Sequence, residues 1–175
     1  MMNSTLTPEE KELFYEIWNP FYDYVRSFDQ MTICFDRTDN EKIDFHSNIP
    51  RAWTEKINLY LKITELPQEH REIIESWKRA VSAEFVLERH LKKGSALISL
   101  QDQFVYVVKG IDVSWEQMFP KPSVMFQTTL LPFRDKIIYN GKILNAEPII
   151  GHCNAGIFKS LYTFAKQAKL IKTSL

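Results

Sequence analysis

The chain has 175 residues, of which 45% are hydrophobic and 13% aromatic, and its 22 basic side chains balance its 22 acidic ones. Disordered chains have few aromatic residues and a high net charge, so this composition is typical of a folded protein. A neutral total provides no general attraction to nucleic acid or anionic lipid. Two cysteines, Cys34 and Cys153, are too few for a disulfide framework or a cysteine-ligated zinc site.

The first helix is predicted to start at Thr7-Pro8-Glu9-Glu10, which combines a capping threonine, a proline suited to the first turn and a glutamate that completes a capping box. Apolar residues then follow helical spacing as far as Phe28. Pro20 lies inside this pattern and predicts either a kink or two short helices that meet at Asn19. The polar and acidic residues 29–47 predict a loop.

Two more helices are predicted before Gly94. One runs from Ser47 to Ile63, and the other opens at Pro67 and ends at Gly94, which has the position of a C′ glycine. The apolar stripe of this third helix comprises Ile73, Ile74, Trp77, Val81, Phe85 and Leu91. Helical spacing also predicts that Trp18, Trp53 and Trp77 lie in the core.

After Gly94 the apolar residues form short runs typical of strands. The runs Ser95–Leu100 and Phe104–Lys109 predict a strand pair, and Ser123–Leu131 predicts a long strand. Asn140-Gly141 is a strong hairpin signal between Lys136–Tyr139 and Lys142–Asn145. The remaining predicted elements are one helical turn within 112–119 and a last helix capped by Asn154 that carries Ile157, Phe158, Leu161, Tyr162, Ala165 and Ala168.

These elements predict an α+β fold. A helical N-terminal lobe, residues 1–94, packs on a small, mainly antiparallel sheet or partial barrel with a C-terminal helix, residues 95–175. The two lobes are expected to form one fused domain. The chain shows neither a signal peptide nor ~18 continuous apolar residues, so we expect a cytoplasmic protein with no membrane partner.

Three blocks of the sequence resemble a family of small uncharacterised bacterial proteins. They are Trp77-Lys78-Arg79, then Glu88-Arg89-His90-Leu91-Lys92-Lys93-Gly94-Ser95, then Leu131-Pro132-Phe133 running into Ile137-Ile138-Tyr139-Asn140-Gly141. The resemblance covers most of the chain, although the family has aspartate at the position of Asn140. It implies an intact bacterial cytoplasmic protein and carries no known activity.

The segment Gly151–Gly156 is the one most similar to a catalytic site. A cysteine at a helix N-terminus, such as Cys153, favours the reactive thiolate, and His152 is adjacent. A nucleophile needs a base within hydrogen-bond reach, and the further partners available are Glu147, His46 and His90. The alternative is that these residues only form a loop and a helix cap, while Cys34 packs as a small hydrophobic residue.

Metal and cofactor binding have less support. The histidines His46, His70, His90 and His152 are scattered, and no His-Glu-x-x-His motif is present. The five glycines form no phosphate-binding loop. We therefore expect neither a metal nor a cofactor.

A basic cluster on the third helix predicts a second kind of site. Arg79, Arg89, Lys92 and Lys93 would face nucleic acid or another anionic ligand. The alternative is that Lys92 and Lys93 complement the helix dipole and that Lys92 pairs with Glu88. On the last helix, Lys159 and Lys166 are predicted to share a solvent-exposed face.

Trp115 is the tryptophan expected to be partly exposed, beside the loop Pro120-Lys121-Pro122, and it is the candidate contact for a partner. The leading hypothesis is a non-enzymatic binding or protein-interaction module with an unknown protein partner. The alternatives are nucleic-acid or anionic-ligand binding through the basic helix face, and a thiol enzyme that uses Cys153. The sequence specifies no substrate, partner identity or oligomeric state.

Overall fold

The computed structural model describes residues 4–35, 49–149 and 152–175, without the side chains of residues 28–35, 49–52 and 152–155. These residues form helices and a mainly antiparallel sheet of seven strands, which confirms the predicted α+β class and the C-terminal helix. The chain divides into two compact units. We call Pro8–Lys78 the helical unit, and the residues on both sides of it the barrel unit.

The helical unit contains α1 (Pro8–Phe35), α2 (Ile49–Ile63) and α3 (Gln68–Ser76), followed by the 3-10 turn Trp77–Arg79. The predicted start of α1 at Pro8 is confirmed. This helix continues through Pro20, so the alternative of two helices meeting at Asn19 is wrong. It also continues to Phe35, so the loop predicted from residue 29 is wrong up to that residue, and residues 36–48 lie outside the described part.

Aromatic side chains from α1, α2 and the 3-10 turn form the core of the helical unit. The ring centroid of Trp18 lies 5.3 Å from that of Trp77, and that of Phe21 lies 5.4 Å from that of Trp53. The indole Nε1 of Trp53 donates to the carbonyl of Trp77 at 2.8 Å. Trp18 and Trp77 are buried and Trp53 is half-buried, so the predicted core role of the tryptophans is confirmed.

The third helix is wrong beyond Ser76, because Val81–Leu91 forms strand β1. Val81 and Phe85 are four residues apart, which fits a helix face, but Phe85 also alternates with Ala83 and Leu87 as in a strand. Pairing of β1 with neighbours on both edges decides for the strand. A Cβ at Gly94 would lie 2.6 Å from the Val108 carbonyl oxygen, so this glycine permits close strand approach rather than a helix end.

The barrel unit contains β1, β2 (Gly94–Ser99), β3 (Val105–Lys109), α4 (Trp115–Met118), β4 (Val124–Phe133), β5 (Lys136–Tyr139), β6 (Leu144–Pro148), α5 (His152–Gln167) and β7 (Ile171–Lys172). Five strands pair in the order β1-β2-β3-β5-β4, and β4 pairs back onto β1. The strands therefore close into a small barrel with one parallel pair, β3 with β5. This connectivity is that of a five-stranded Greek-key barrel of the OB type.

The hairpin predicted at Asn140-Gly141 is wrong. Strand β5 pairs with β4 through the turn Arg134-Asp135, and β6 pairs with β4 as well. The backbone N–H of Asn140 donates to the Thr129 carbonyl at 3.0 Å, so the chain continues along β4 instead of folding back on β5. Gly141, at φ 82°, still serves an irregular turn between β5 and β6.

The barrel has a filled interior and one outer face that is covered by α5. Alternation along the strands places Phe85, Leu97, Tyr106 and Phe126 on the inner side. The outer face of β1, β2 and β3 carries Val86, Ala96, Ile98 and Val105, which pack against Tyr162 and Ala165 of α5. In the described part of the chain, no helix is long and apolar enough to span a membrane.

Candidate interaction surface

The inner face of α5 is fixed to the barrel. Tyr162 is 6% exposed and Ala165 is 4% exposed. A β-bulge between Leu87 and Arg89 brings Arg89 to the side of β1 that faces α5. The guanidinium of Arg89 lies 4.0 Å from the centre of the Tyr162 ring, and its NH2 group contacts the Glu88 carboxylate at 2.6 Å.

The outward side of α5 carries large apolar side chains with no cover among the described residues. Phe164 is 62% exposed and Ile157 is 56% exposed. At 3.6 residues per turn these two lie on one flank of the helix, whereas Lys159 and Lys166 lie on the other. We call this side the α5 surface; it comprises Gly156, Ile157, Lys159, Ser160, Thr163, Phe164, Lys166 and Gln167.

The ridge between the two flanks is less polar than its sequence implies. The Ser160 hydroxyl donates to the Gly156 carbonyl at 3.0 Å, and the Thr163 hydroxyl donates to the Lys159 carbonyl at 2.9 Å. Both hydroxyls are therefore satisfied by the helix itself. A Cβ added at Gly156 would meet nothing within 4 Å, so open space lies above this residue.

A shallow depression of about 320 Å³ runs along the exposed ridge of α5. It is lined by Lys159, Ser160, Thr163, Phe164 and Gln167. This open, nearly flat surface, apolar on one side and cationic on the other, does not enclose a small molecule, since small-molecule sites are concave and surround their ligand.

The predicted basic helix face does not exist. Arg79 precedes β1, Arg89 lies within it, and Lys92 and Lys93 form the turn to β2. A strand rises about 3.3 Å per residue against 1.5 Å for a helix, so Arg79 and Lys92 are separated by up to about 40 Å of extended chain. Arg89 is engaged by Glu88 and Tyr162, whereas Lys92 and Lys93 are exposed.

Trp115 is 1% exposed, so the prediction that it is partly exposed is wrong. The predicted helical turn around it is confirmed as α4, whose start is held by a capping box between Ser114 and Gln117. The Trp115 ring stacks on Phe126 at 5.3 Å and contacts Tyr139 at 5.0 Å. A sealed indole offers no surface to a partner.

The predicted thiol site is only partly described. The backbone places Cys153 and His152 in the first turn of α5, but their side chains, like those of Cys34 and His46, lie outside the described residues. The predicted cap residue Asn154 is inside α5, which begins at His152.

Of the bases considered for Cys153, His90 has both ring nitrogens engaged. Its Nε2 donates to the Phe119 carbonyl at 3.0 Å, and its Nδ1 lies 2.9 Å from the Ser95 hydroxyl. Glu147 is exposed on β6. Among the described residues, no group of three or more His, Cys, Asp or Glu side chains is arranged to hold a metal ion.

The pKa shifts of the barrel unit have structural causes away from the α5 surface. Burial, then a hydrogen bond to Asp102 at 2.7 Å, raises the pKa of Tyr106 well above its ordinary value. Burial also raises the pKa of Tyr139. The Lys136 ammonium, 3.0 Å from Asp135, lowers the pKa of that carboxyl.

The exposed apolar flank is not predicted by the sequence pattern. Ile157 and Ala168, two of the apolar residues noted on the last helix, are exposed, and so is Phe164, which was not singled out. A signal was present, because Phe164 is 100° around the helix from Ala165 and cannot share the stripe centred on Tyr162 and Ala165. The shared exposed face of Lys159 and Lys166 is confirmed.

Comparison of the chain with protein families, with curated proteins and with solved structures finds no match. The resemblance to a family of small bacterial proteins therefore stays a prediction.

Proposed function

We propose that this protein is a non-enzymatic protein-interaction module of the bacterial cytoplasm, and that the α5 surface binds a helical segment of another protein. The observation that carries the proposal is the 62% exposure of Phe164 beside the 56% exposure of Ile157 on a helix that already buries a separate face. The small number of cysteines supports the cytoplasmic location.

Burial of the exposed flank supplies the affinity. Complete burial of a large apolar side chain contributes about 1.5–3 kcal/mol, so covering the exposed part of Phe164 contributes about 1–2 kcal/mol. Aromatic anchors of this kind dominate many protein interfaces. Ile157, about two helical turns away along the same flank, adds a second anchor.

The ridge suits a helix as the occupant. Open space above Gly156 and the short Ser160 side chain allow a second backbone to approach closely. The Ser160 and Thr163 hydroxyls keep their helix partners when water leaves, so removing water from the ridge exposes no unsatisfied donor. An amphipathic helix that packs on such a face would use anchors spaced three, four or seven residues apart.

The barrel holds α5 in place. Arg89 and Glu88 anchor Tyr162, and Ile171 of β7 pairs with Val105 directly after α5. A surface that is ordered before binding loses little conformational entropy on association.

Nucleic-acid binding has weaker support. Barrels of the OB type bind oligonucleotides on the face of the second and third strands. Here that face carries Ala96, Ile98 and Val105, and it is packed under α5. The basic residues predicted to act together are spread along β1 and its turn. The thiol-enzyme hypothesis stays a prediction, because the side chain of Cys153 lies outside the described residues.

Site-specific photocrosslinking tests the proposal. A benzophenone side chain is placed at position 164 in one variant and at position 63 in another, and cells expressing each are irradiated. Ile63 is a matched control, because it is also 62% exposed but lies on α2. We expect a defined protein to be crosslinked from position 164 and not from position 63.

The crosslinked protein is then purified and titrated with Phe164→Ser and Ile63→Ser. The first change should weaken binding about tenfold, since about 1–2 kcal/mol of burial is lost, and the second by less than twofold. Absence of a crosslink from position 164, equal crosslinking from both positions, or undiminished binding by Phe164→Ser would each overturn the proposal.

A further inference from the structure

We infer that the segment bound by the α5 surface is acidic and that its carboxylates pair with Lys159 and Lys166. This inference rests on the proposed function and specifies the chemistry of the partner. The α5 surface has a cationic flank, which carries Lys159 and Lys166 and lies opposite the apolar flank that carries Phe164.

Charge along the C-terminal part of the chain has one sign. After Glu147 the sequence contains Lys159, Lys166, Lys169 and Lys172 and no acidic residue. Residues 1–7 and 79–175 together carry 13 basic and 7 acidic side chains, a net charge of +6. Within the barrel unit, an acidic segment therefore meets more cations than anions.

One of these four lysines, Lys159, lines the depression, and Lys166 lies on the same flank of α5 outside that lining. Lys159 and Lys166 are exposed on one flank of α5, and their spacing of seven residues is about 10.5 Å along the helix axis. Two carboxylates seven residues apart on a partner helix have the same separation. Because α5 itself contains no acidic residue, a partner carboxylate has no competitor on that helix.

The other two lysines have different positions. Lys172 lies over the Phe104 ring at 3.8 Å, where it fastens β7 to the barrel. Lys169 follows α5 in a left-handed backbone conformation, with φ 56°. The α5 surface therefore offers one row of two cations, parallel to the apolar flank.

A protein segment suits this surface better than a lipid membrane does. The broad apolar face of α5 is already packed on the barrel, which leaves Ile157 and Phe164 as the large exposed apolar side chains among those described on the helix. Interfacial helices insert a whole apolar face into the lipid, so two side chains bury too little area for membrane binding. An amphipathic acidic helix needs only these two contacts and the two lysines.

Three synthetic peptides of about 18 residues test the inference with the full-length protein, a length chosen because shorter isolated helices are marginal in water. Each carries one leucine stripe, and the flanking positions hold glutamate, glutamine or lysine. We expect the glutamate peptide to bind about fivefold to tenfold more tightly than the glutamine peptide, as two exposed ion pairs allow. This preference should diminish as salt is added.

A charge-reversal pair gives the decisive comparison. In Lys159→Glu/Lys166→Glu the preference should invert, so that the lysine peptide binds best. The control Lys92→Glu/Lys93→Glu makes the same change in net charge at another exposed site and should keep the preference of the unmodified protein. Inversion in both variants would mean a general field effect and would overturn the inference.

Further outcomes separate the inference from the proposed function. Equal binding of the glutamate and glutamine peptides, both weakened by Phe164→Ser, overturns the acidic partner and leaves the docking surface standing. Absence of binding by all three peptides, or binding that Phe164→Ser does not weaken, counts against both. Tighter binding to phosphatidylglycerol vesicles or to oligothymidylate, lost in Lys159→Glu/Lys166→Glu, would replace the acidic protein by a membrane or a nucleic acid.

Discussion

Ala165 and Phe164 are neighbours on one helix, yet the first is 4% exposed and the second 62% exposed. Ala165 packs against the outer side of β1, β2 and β3. Phe164 projects past the edge of that contact. The difference shows that an apolar residue in an amphipathic helix belongs to the core only where a second surface reaches it.

The largest expected effect on stability tests whether Ala165 and Phe164 lie on different faces of α5. Ala165→Glu places a charge inside the contact between α5 and the barrel, and the free energy of unfolding should fall by about 3 kcal/mol or more. Phe164→Glu places the same charge one residue away and should change stability by less than about 0.5 kcal/mol. Urea denaturation of both variants measures the difference, and equal values would contradict the assigned faces.

A smaller effect is expected from the contact that fixes the inner face. Arg89→Ala removes the cation over the Tyr162 ring and leaves the Glu88 side chain, which is 9% exposed, without its ion-pair partner. Stability should fall by about 1–2 kcal/mol. Arg79→Ala is the matched control, since Arg79 is exposed, and it should stay within about 0.5 kcal/mol of the unmodified protein. If Arg79→Ala lowered the free energy of unfolding as much as Arg89→Ala, a specific role for the Arg89 contact would be excluded.

The dependence of stability on alkaline pH tests the burial of Tyr106 and Tyr139 in the barrel unit. Burial raises the pKa of Tyr106 and of Tyr139, so the folded protein holds protons that the unfolded chain releases above about pH 10. The corresponding stability is complete below that pH and is lost as the pH rises toward the folded-state pKa. Tyr106→Phe should lower stability by about 1 kcal/mol at neutral pH and make the alkaline loss shallower. An unchanged slope in urea titrations at several alkaline pH values would show that Tyr106 is not the responsible group.

The smallest effect is expected at an exposed ion pair. Lys136 lowers the pKa of Asp135, so its stabilisation is present at neutral pH and is lost as the pH falls through that lowered value. Because Asp135 is largely exposed, Asp135→Asn should cost less than about 0.5 kcal/mol. Thermal unfolding at neutral and acidic pH measures the difference between the variant and the unmodified protein, which should vanish in acid. A difference that persists in acid would point to the turn geometry instead.

Signals between neighbouring residues predicted the fold well. The start of α1 at Pro8, the helical turn at Trp115 and the strand pair β2–β3 depend on residues close in the sequence, and all three are present. Signals that compete with distant partners failed. The spacing of Val81 and Phe85 fits a helix, but both residues pair with β4. Asn140-Gly141 fits a hairpin between β5 and β6, but β6 pairs with β4 instead.

The candidate site was less predictable than the fold. The basic residues chosen as a site share one face only if residues 79–93 are helical, and those from Val81 to Leu91 form a strand. Trp115 was expected at the surface because it lies between loops, but tertiary packing seals it beneath Phe126 and Tyr139. Lys159 and Lys166 were placed correctly, because a spacing of seven residues puts them on one face of any helix.

Composition, helix caps and hydrophobic spacing by themselves determined that this chain folds into helices and a mainly antiparallel sheet, since these preferences act over a few residues. Closure of the barrel, the faces that β1 and α5 bury and the exposure of Phe164 were decided only by tertiary structure. The physical reason is that burial of a side chain depends on whether a surface from a distant part of the chain reaches it. A local pattern does not contain that information.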